Sequence, residues 1–304
     1  MTVDANTITS QDLTAQSIDF VEQFSSSVKG LLNALTGVRL VPMANNSVVK
    51  TYTSKVTKAS DTTASDTTVA EGELIPLTKV ERKVDQTYTL ALNDKLRKVT
   101  TFEAIQALGY QRAVANTDQK LLNIAQKDAK SGLFDALSSK ATAKVTGAKN
   151  VQQAISKGLG KVLSYFEDYD GAAGTVAFVN TDDFYNWLGN QQITVQNSFG
   201  LSYLKNFLNV GTIILSNSVK AGTVYVTVTN NLAMYYVDMS GDAGKAFNMQ
   251  TDESGLIGVT HSRLDDHLSY QTVAAGGWQF IPEKTDGVAS VTIDASAGGA
   301  GVHA

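Results

Sequence analysis

The chain has 304 residues with no cysteine and a formal net charge of −4; 43% of its residues are hydrophobic and only 18% are charged. The absence of cysteine excludes disulfides, thiolate zinc sites and thiol nucleophiles, and the slight acidity opposes nucleic-acid binding by a whole face. No uncharged apolar run approaches the roughly 18 residues of a membrane-spanning helix, and the start MTVDANTITSQD lacks the basic and apolar runs of a secretory signal. We therefore expect a soluble protein kept in a cytoplasm, with no membrane partner.

The N-terminal third predicts an arm, a helix and a two-stranded ribbon. After a polar stretch at residues 1–10, apolar residues recur at helical spacing up to Gly37. Residues 47–57 and 79–92 alternate as strands do, and the Thr-, Ser- and Asp-rich stretch between them predicts a mobile tip. Because an isolated two-stranded hairpin is marginal in water, we expect a neighbouring subunit to cover this ribbon.

A long helix follows the ribbon. The sequence opens a helix with a capping box from Thr100 to Glu103 and keeps helical spacing to Gly132. At 1.5 Å per residue such a helix spans roughly 45 Å, which is longer than a small domain is wide. We therefore expect it to join two lobes. The region around it, residues 79–130, is basic between acidic flanks, which suits contacts between subunits as well as a solvated face.

From about residue 148 the chain alternates between helix and strand. TVAFVN predicts a buried strand, and TDDFYNWLG predicts a short helix capped by Thr181. Residues 210–239 predict three strands, in which Val224, Val226 and Val228 face one side of a sheet and Tyr225, Thr227 and Thr229 the other. The alternating stretch before Gly276 can return to the elongated lobe, and residues 285–304 predict a disordered tail.

The sequence contains no convincing catalytic or metal-binding pattern. His261 and His267 are six residues apart, which on one strand separates their rings by about 20 Å, too far to share a metal. The Gly-Lys pairs near residues 160 and 245 lack the spacing of a phosphate loop, and no Gly-x-Ser-x-Gly is present. Adjacent carboxylates such as Asp182 and Asp183 point apart. We predict no enzyme activity, no cofactor and no metal.

The order of these elements resembles the major capsid proteins of tailed double-stranded DNA bacteriophages. Within it, VNTDDFYNWL resembles the segment of that family in which a strand precedes a short helix, and VGTIILSNSVKAGTVYVTVTNNLAMYYV resembles its later run of strands. The resemblance implies the α+β capsid fold of the Hong Kong ninety-seven type, with a peripheral lobe (long spine helix plus long strands), an axial α/β lobe, an extended two-stranded loop and an N-terminal arm. The implied domains are an arm and helix at 1–44, a hairpin loop at 45–95, a peripheral domain at 96–145 and 250–284, an axial domain at 146–249 and a disordered tail at 285–304.

The same resemblance implies a structural function. Family members assemble through pentamers and hexamers into an icosahedral shell that encloses double-stranded DNA without reading its sequence. The implied partners are further copies of the chain, a scaffolding protein and a portal, and the implied location is the virion, after assembly in the bacterial host's cytoplasm. The residues expected at subunit interfaces are Lys50, Lys55, Lys58, Glu71, Glu73, Arg82, Tyr185, Trp187, Phe199 and Tyr203.

Two other structural functions remain open at this point. An encapsulin-type nanocompartment uses the same architecture to hold cargo enzymes. A phage tail or surface protein fits the richness in Thr and Asn, but the missing secretion signal and the two long predicted helices oppose it. An enzyme is a third class, which the spacings above do not support.

Overall fold

The chain forms an α+β protein, as the sequence predicts. The computed structural model describes residues 19–26, 28, 38–57, 79–167, 174–189, 196–198, 201–207, 210–251 and 253–294. The chain divides into two compact units, one made of residues Val48–Thr89 and the other of Met1–Ser47 together with Leu90–Ala304.

The helices lie mainly in the middle of the chain. Their bounds are α1 Phe102–Leu108, α2 Asn116–Lys140, α3 Val151–Glu167, α4 Thr181–Leu188 and α5 Asp242–Ala246, and residues 19–26 are helical as well. The strands are β1 Arg39–Met43, β2 Val48–Thr57, β3 Lys79–Thr89, β4 Asp94–Thr101, β5 Ala143–Ala148, β6 Thr175–Val179, β7 Gln196–Ser198, β8 Leu201–Phe207, β9 Val210–Leu215, β10 Thr223–Val228, β11 Leu232–Val237, β12 Ile257–Leu264, β13 Ser269–Gly276, β14 Trp278–Pro282 and β15 Ala289–Ile293.

The predicted long helix exists, but it is interrupted and begins later than expected. Gly109, at φ 77°, ends α1, and a π-helical turn at Gln111–Ala115 leads into α2. The predicted cap at Thr100 is wrong, because Thr100 pairs with Tyr270 in a sheet. Thr101 caps the helix instead, its hydroxyl accepting the Ala104 N–H at 3.3 Å.

The predicted ribbon is confirmed as a separate two-stranded sheet. Strands β2 and β3 pair antiparallel from Val48 opposite Thr89 to Thr57 opposite Lys79, with a bulge where Tyr52 meets Val84. The predicted mobile tip lies outside the described residues. The predicted final strands are confirmed too: β12 and β13 form a hairpin beside β4, a strand that the sequence left unassigned.

A seven-stranded sheet, in the order β5-β15-β10-β6-β9-β8-β7, forms the centre of the α/β part. Val224, Val226 and Val228 pack with α3 on one face, and Tyr225 belongs to the hydrophobic cluster of the other face, as predicted. A Cβ on Gly158 of α3 would lie 2.6 Å from Val226, so the helix approaches the sheet through this glycine. On the opposite face, the ring of Phe134 in α2 packs edge to face against the ring of Phe178 in β6, with 6.0 Å between the ring centroids.

The two asparagines that break the strand pattern at 230 and 231 have different surroundings. They lie in a 3-10 turn between β10 and β11. Asn231 is buried; its amide donates to the Lys284 carbonyl at 2.9 Å and the Thr227 hydroxyl at 3.2 Å, and its oxygen accepts the Lys284 N–H at 2.7 Å. The buried side chain of Asn231 therefore holds the chain segment before β15 against the centre of the sheet.

The prediction that the tail is disordered from residue 285 is wrong for residues 285–294. A 3-10 turn at Thr285–Gly287 leads into β15, which lies between β5 and β10. Ala289 and Val291 are buried in the sheet's core. The segment is short and flanked by Gly and Ser, but its β-branched residues alternate as in a half-buried strand. Residues 295–304 lie outside the described part of the chain.

Candidate functional site

One face of the ribbon presents apolar side chains to solvent. Because side chains alternate along a strand and opposed residues share a face, Val48 and Tyr52 of β2 lie on the same side as Val80 and Val84 of β3. The three valines are exposed, and the guanidinium carbon of Arg82 lies 3.9 Å from the centroid of the Tyr52 ring. We call Val48, Tyr52, Val80 and Val84 the ribbon apolar face.

Of the interface residues predicted on the ribbon, two can be placed in full. Lys50 is exposed and lies on the same side of β2 as Tyr52, and Arg82 is exposed on β3. The backbone of Lys55 pairs opposite Glu81, while its side chain is not among those described. Three more predicted interface residues lie outside the described part of the chain: Lys58, Glu71 and Glu73.

The predicted aromatic interface residues do not form one group. Tyr185 is exposed on α4, and Trp187 packs on the α3 side of the large sheet, its ring 5.7 Å from that of Phe184. Tyr203 packs against the cluster on the opposite face, and Phe199 lies outside the described residues. The cap of α4 also differs from the prediction at Thr181, because the Asn180 side chain accepts the Asp182 N–H at 2.9 Å.

A buried ionic cluster was missed at the sequence level. The Nζ atom of Lys98 lies 2.5 Å from Oδ1 of Asp118 and 2.9 Å from the Val114 carbonyl of the π-helical turn. Asp118 Oδ2 lies 3.1 Å from Nε2 of the buried His261, and Thr272 donates to Oδ1 at 2.9 Å. The sequence could have indicated this cluster through the alternation of side chains along β4, which places Lys98 on the inward face together with Leu96 and Thr100.

The cluster is suited to holding elements together. Burial raises the pKa of the Asp118 carboxyl, but the hydrogen bonds from His261, Lys98 and Thr272 and the charge of Lys98 outweigh it, and the pKa lies below its ordinary value. The His261 side chain is almost fully buried and stacks on Tyr270 at 5.8 Å, so a substrate cannot reach it. Lys98 also donates to the Val114 carbonyl of the π-helical turn, which accepts from the Thr117 hydroxyl at 2.8 Å as well.

A second carboxyl has the opposite shift. Burial, and next the Asp128 carboxylate, raise the pKa of Asp94 to about 6. Its Oδ2 atom is buried and has no hydrogen-bond partner among the described residues.

Two further features are absent from the described ranges. No group of three or more His, Asp or Glu side chains there could hold a metal ion. No helix in the same part of the chain is long and apolar enough to cross a membrane.

Comparison with known proteins gives a likeness in structure only. No family model matches the sequence, and no curated protein matches it. The encapsulin complex of Synechococcus elongatus aligns at a TM-score of 0.53 and 12% identity over 91% of both chains. The mature capsid of bacteriophage PhiM1 aligns at 0.52 and 11% identity over 85% of this chain and 86% of that one. The virus-like particle of Pyrococcus furiosus aligns at 0.50 and 12% identity over 92% of this chain and 98% of that one.

The chain has the capsid fold. The match extends over most of the chain and includes neighbours from a phage and from an encapsulin. It confirms the fold class that the sequence predicted.

Proposed function

We propose that the chain is a shell-forming structural protein, the major capsid protein of a tailed double-stranded DNA bacteriophage. In this proposal, pentamers and hexamers of the chain close an icosahedral shell around the phage genome. The capsid fold over most of the chain supports it.

The ribbon apolar face is the observation that carries the proposal. A two-stranded sheet is marginal in water by itself, and this one leaves three valines and a tyrosine on one side, with the valines exposed. Exposed apolar side chains along one face, here interleaved with Lys50 and Arg82, are typical of a surface that another protein covers. A neighbouring copy of the chain is the cover we propose.

Charged and aromatic residues complete the proposed interfaces. Lys50, Lys55 and Lys58 are proposed to meet acidic segments of an adjacent copy, with Glu71, Glu73 and Arg82 on the same ribbon. Tyr185, Trp187, Phe199 and Tyr203 are proposed to contribute around the axial domain. If the lysines act through charge, replacing all three by acidic residues weakens assembly, and rising salt weakens assembly of the unaltered chain. Assembly that changes with neither the substitutions nor the salt would disprove this pairing.

The remaining partners and the domain scheme are proposals of the same kind. A scaffolding protein and a portal take part in assembly in the host cytoplasm, and the finished virion shell encloses DNA without reading its sequence. We keep the arm at 1–44, the hairpin at 45–95, the peripheral domain at 96–145 and 250–284 and the axial domain at 146–249. Residues 285–294 join the axial sheet.

An encapsulin-type nanocompartment is the second candidate. The likeness to the Synechococcus elongatus encapsulin complex favours it as much as the PhiM1 likeness favours a capsid. Shells recovered with an enzyme inside would support the nanocompartment, and shells that protect double-stranded DNA from nuclease would support the capsid. A tail or surface protein receives no support from these neighbours.

Electron microscopy and sedimentation velocity test the proposal. The unaltered chain, alone and with candidate scaffolding proteins, is expected to give closed shells or five- and six-membered rings. The double variant Val80→Asp, Val84→Asp is expected to lower the yield of shells at least tenfold, while the control Leu163→Asp, which also changes an exposed apolar residue, is expected to retain it. A persistent monomer under every condition would reject the proposal.

A further inference from the structure

The short helix α1 fully buries none of its side chains, and Ile105 packs only partly against the small cluster of Ala113, Val114 and Tyr270. It has seven residues, and Phe102 and Leu108 at its two ends are 55% and 56% exposed. So short a helix is not stable by itself, and most helices owe their stability to packing of an apolar face. The apolar residues of α1 therefore present a face that another surface can cover.

The turn between β12 and β13 places another exposed apolar residue next to α1. Leu268 lies in the left-handed region at φ 40° and ψ 50°, and its side chain is 67% exposed. Its carbonyl accepts the Phe102 N–H at 2.9 Å, which ties the turn to the start of α1. A left-handed leucine is a backbone outlier, and such outliers concentrate at functional positions.

An apolar groove lies between these two elements. Its volume is about 220 Å³, and its walls come mainly from apolar and aromatic side chains: Phe102, Ile105, Tyr110, Leu264, Leu268 and Tyr270. Ligand sites usually measure roughly 300–1,000 Å³, so this groove is better matched to one or two protein side chains than to a small molecule.

The charges around the groove point to a copy of this chain as the occupant. Arg263 and Asp265 both line it, and the adjacent turn residues Asp266 and His267 are exposed. A rim with both signs opposes a nucleic-acid partner, which favours uniformly basic surfaces. Such a rim can pair with the same rim on a second copy, because rotation can bring Arg263 of one copy to Asp265 of the other.

We propose that α1 and the β12–β13 turn form a contact between copies of this chain, in which Leu268 of one copy enters the groove of the next. The inference rests on the proposed function, since it names a contact within the shell. The few apolar residues involved cannot bury the roughly 1,000 Å² of a stable pairwise interface. The contact is therefore weak between free subunits, where a high protein concentration is needed to populate it, and it is reinforced in the assembly, where many weak contacts act together.

Substitution tests whether the contact is needed for closure. Leu268→Asp is expected to fold normally, because the side chain is exposed, and to lower the yield of closed shells at least tenfold while rings still form. Leu163→Asp, which changes an exposed leucine on α3, is the control. Normal closure of the Leu268→Asp shells would overturn the contact and leave the proposed function intact.

Cysteine cross-linking tests the contact directly, since the chain has no cysteine. Subunits with Leu268→Cys are mixed with subunits with Phe102→Cys and oxidised, both in assembled particles and in concentrated unassembled protein. We expect at least fivefold more disulfide dimer than with the pair Leu163→Cys and Phe102→Cys. No excess in either state would overturn the contact. The unassembled sample decides the question even if no particles form, an outcome that would count against the proposed function separately.

Discussion

Lys98 Nζ lies 2.5 Å from Asp118 Oδ1, and this ion pair joins strand β4 to helix α2 where the π-helical turn ends. The two side chains are 17% and 11% exposed, so neither charge is well solvated without the other. Because Asp118 also bonds to His261, the pair is linked to strand β12, whose histidine lies 143 residues after Asp118.

Lys98→Met is expected to destabilise the protein by about 3 kcal/mol, because it leaves the Asp118 carboxylate buried without its cation. Urea unfolding at neutral pH measures this loss. Lys95→Met, on the exposed side of the same strand, is the control and is expected to cost less than about 0.5 kcal/mol. The double variant Lys98→Met, Asp118→Asn is expected to recover part of the loss; equal losses at Lys95 and Lys98 would contradict this account.

Asp94→Asn is expected to stabilise the protein at pH 8 and to have little effect near pH 4. The folded state holds the Asp94 proton up to a pKa of about 6, whereas the ordinary value is 3.8. Ionisation of Asp94 therefore lowers the free energy of unfolding as pH rises from about 4 through 6. The asparagine amide in the variant does not ionise, so the variant does not undergo this loss. We expect a gain of about 1 kcal/mol at pH 8, reduced because solvent reaches this half-buried carboxyl.

Thermal unfolding of both proteins between pH 4 and pH 8 checks this dependence. Asp128→Asn serves as the comparison: it removes the neighbouring charge but leaves Asp94 partly buried, so its gain should be smaller. A stability difference between Asp94→Asn and the unaltered chain that stays constant with pH would show that Asp94 keeps its ordinary pKa.

Asn231→Ala is expected to cost about 2–3 kcal/mol, because it leaves the Lys284 N–H and carbonyl and the Thr227 hydroxyl without the amide partner. Asn230 is the matched control, since it is exposed one residue earlier in the same turn. Its replacement by Ala should change the free energy of unfolding by less than about 0.5 kcal/mol. Similar losses at the two positions would mean that the turn, rather than the buried amide, determines the stability.

Gly277→Ala and Gly132→Ala are expected to have opposite effects. A Cβ at Gly277 would lie 2.4 Å from the Ala91 carbonyl oxygen and 2.9 Å from the Leu92 Cα, and backbone atoms cannot move aside without cost. Gly132 lies within α2 with nothing within 4 Å of an added Cβ, so alanine there should stabilise by about 0.5–1 kcal/mol. Denaturant midpoints measure both changes; a neutral Gly277→Ala would refute the close approach.

Local patterns predicted much of this fold because their determinants are local. The alternation in β2, β3 and β10 depends on neighbouring residues, and the structure places Val224 and Tyr225 on the faces that the pattern assigned to them. The order of the elements was also enough to indicate the capsid fold, which the structural neighbours bear out.

The features that the sequence missed depend on contacts between distant segments. The local pattern at Thr100 indicates a helix cap, but the pairing of β4 with β13 places this residue in a strand. The ionic cluster joins Asp118 to a lysine 20 residues earlier and a histidine 143 residues later. Residues 289–293 alternate as a strand does, but only over five positions beside Gly and Ser, and it is their pairing with β5 and β10 that identifies the strand.

The position of β15 sets the order of events while the chain is being made. Strand β5 has β15 as its partner, and β15 follows it about 140 residues later. At roughly 5–20 residues per second, a ribosome needs about 7–28 s to deliver it. Strand β10 follows β5 in the chain and keeps one edge unpaired until β15 is made, so a nascent chain cannot present a finished sheet to its neighbours before β15 has been synthesised.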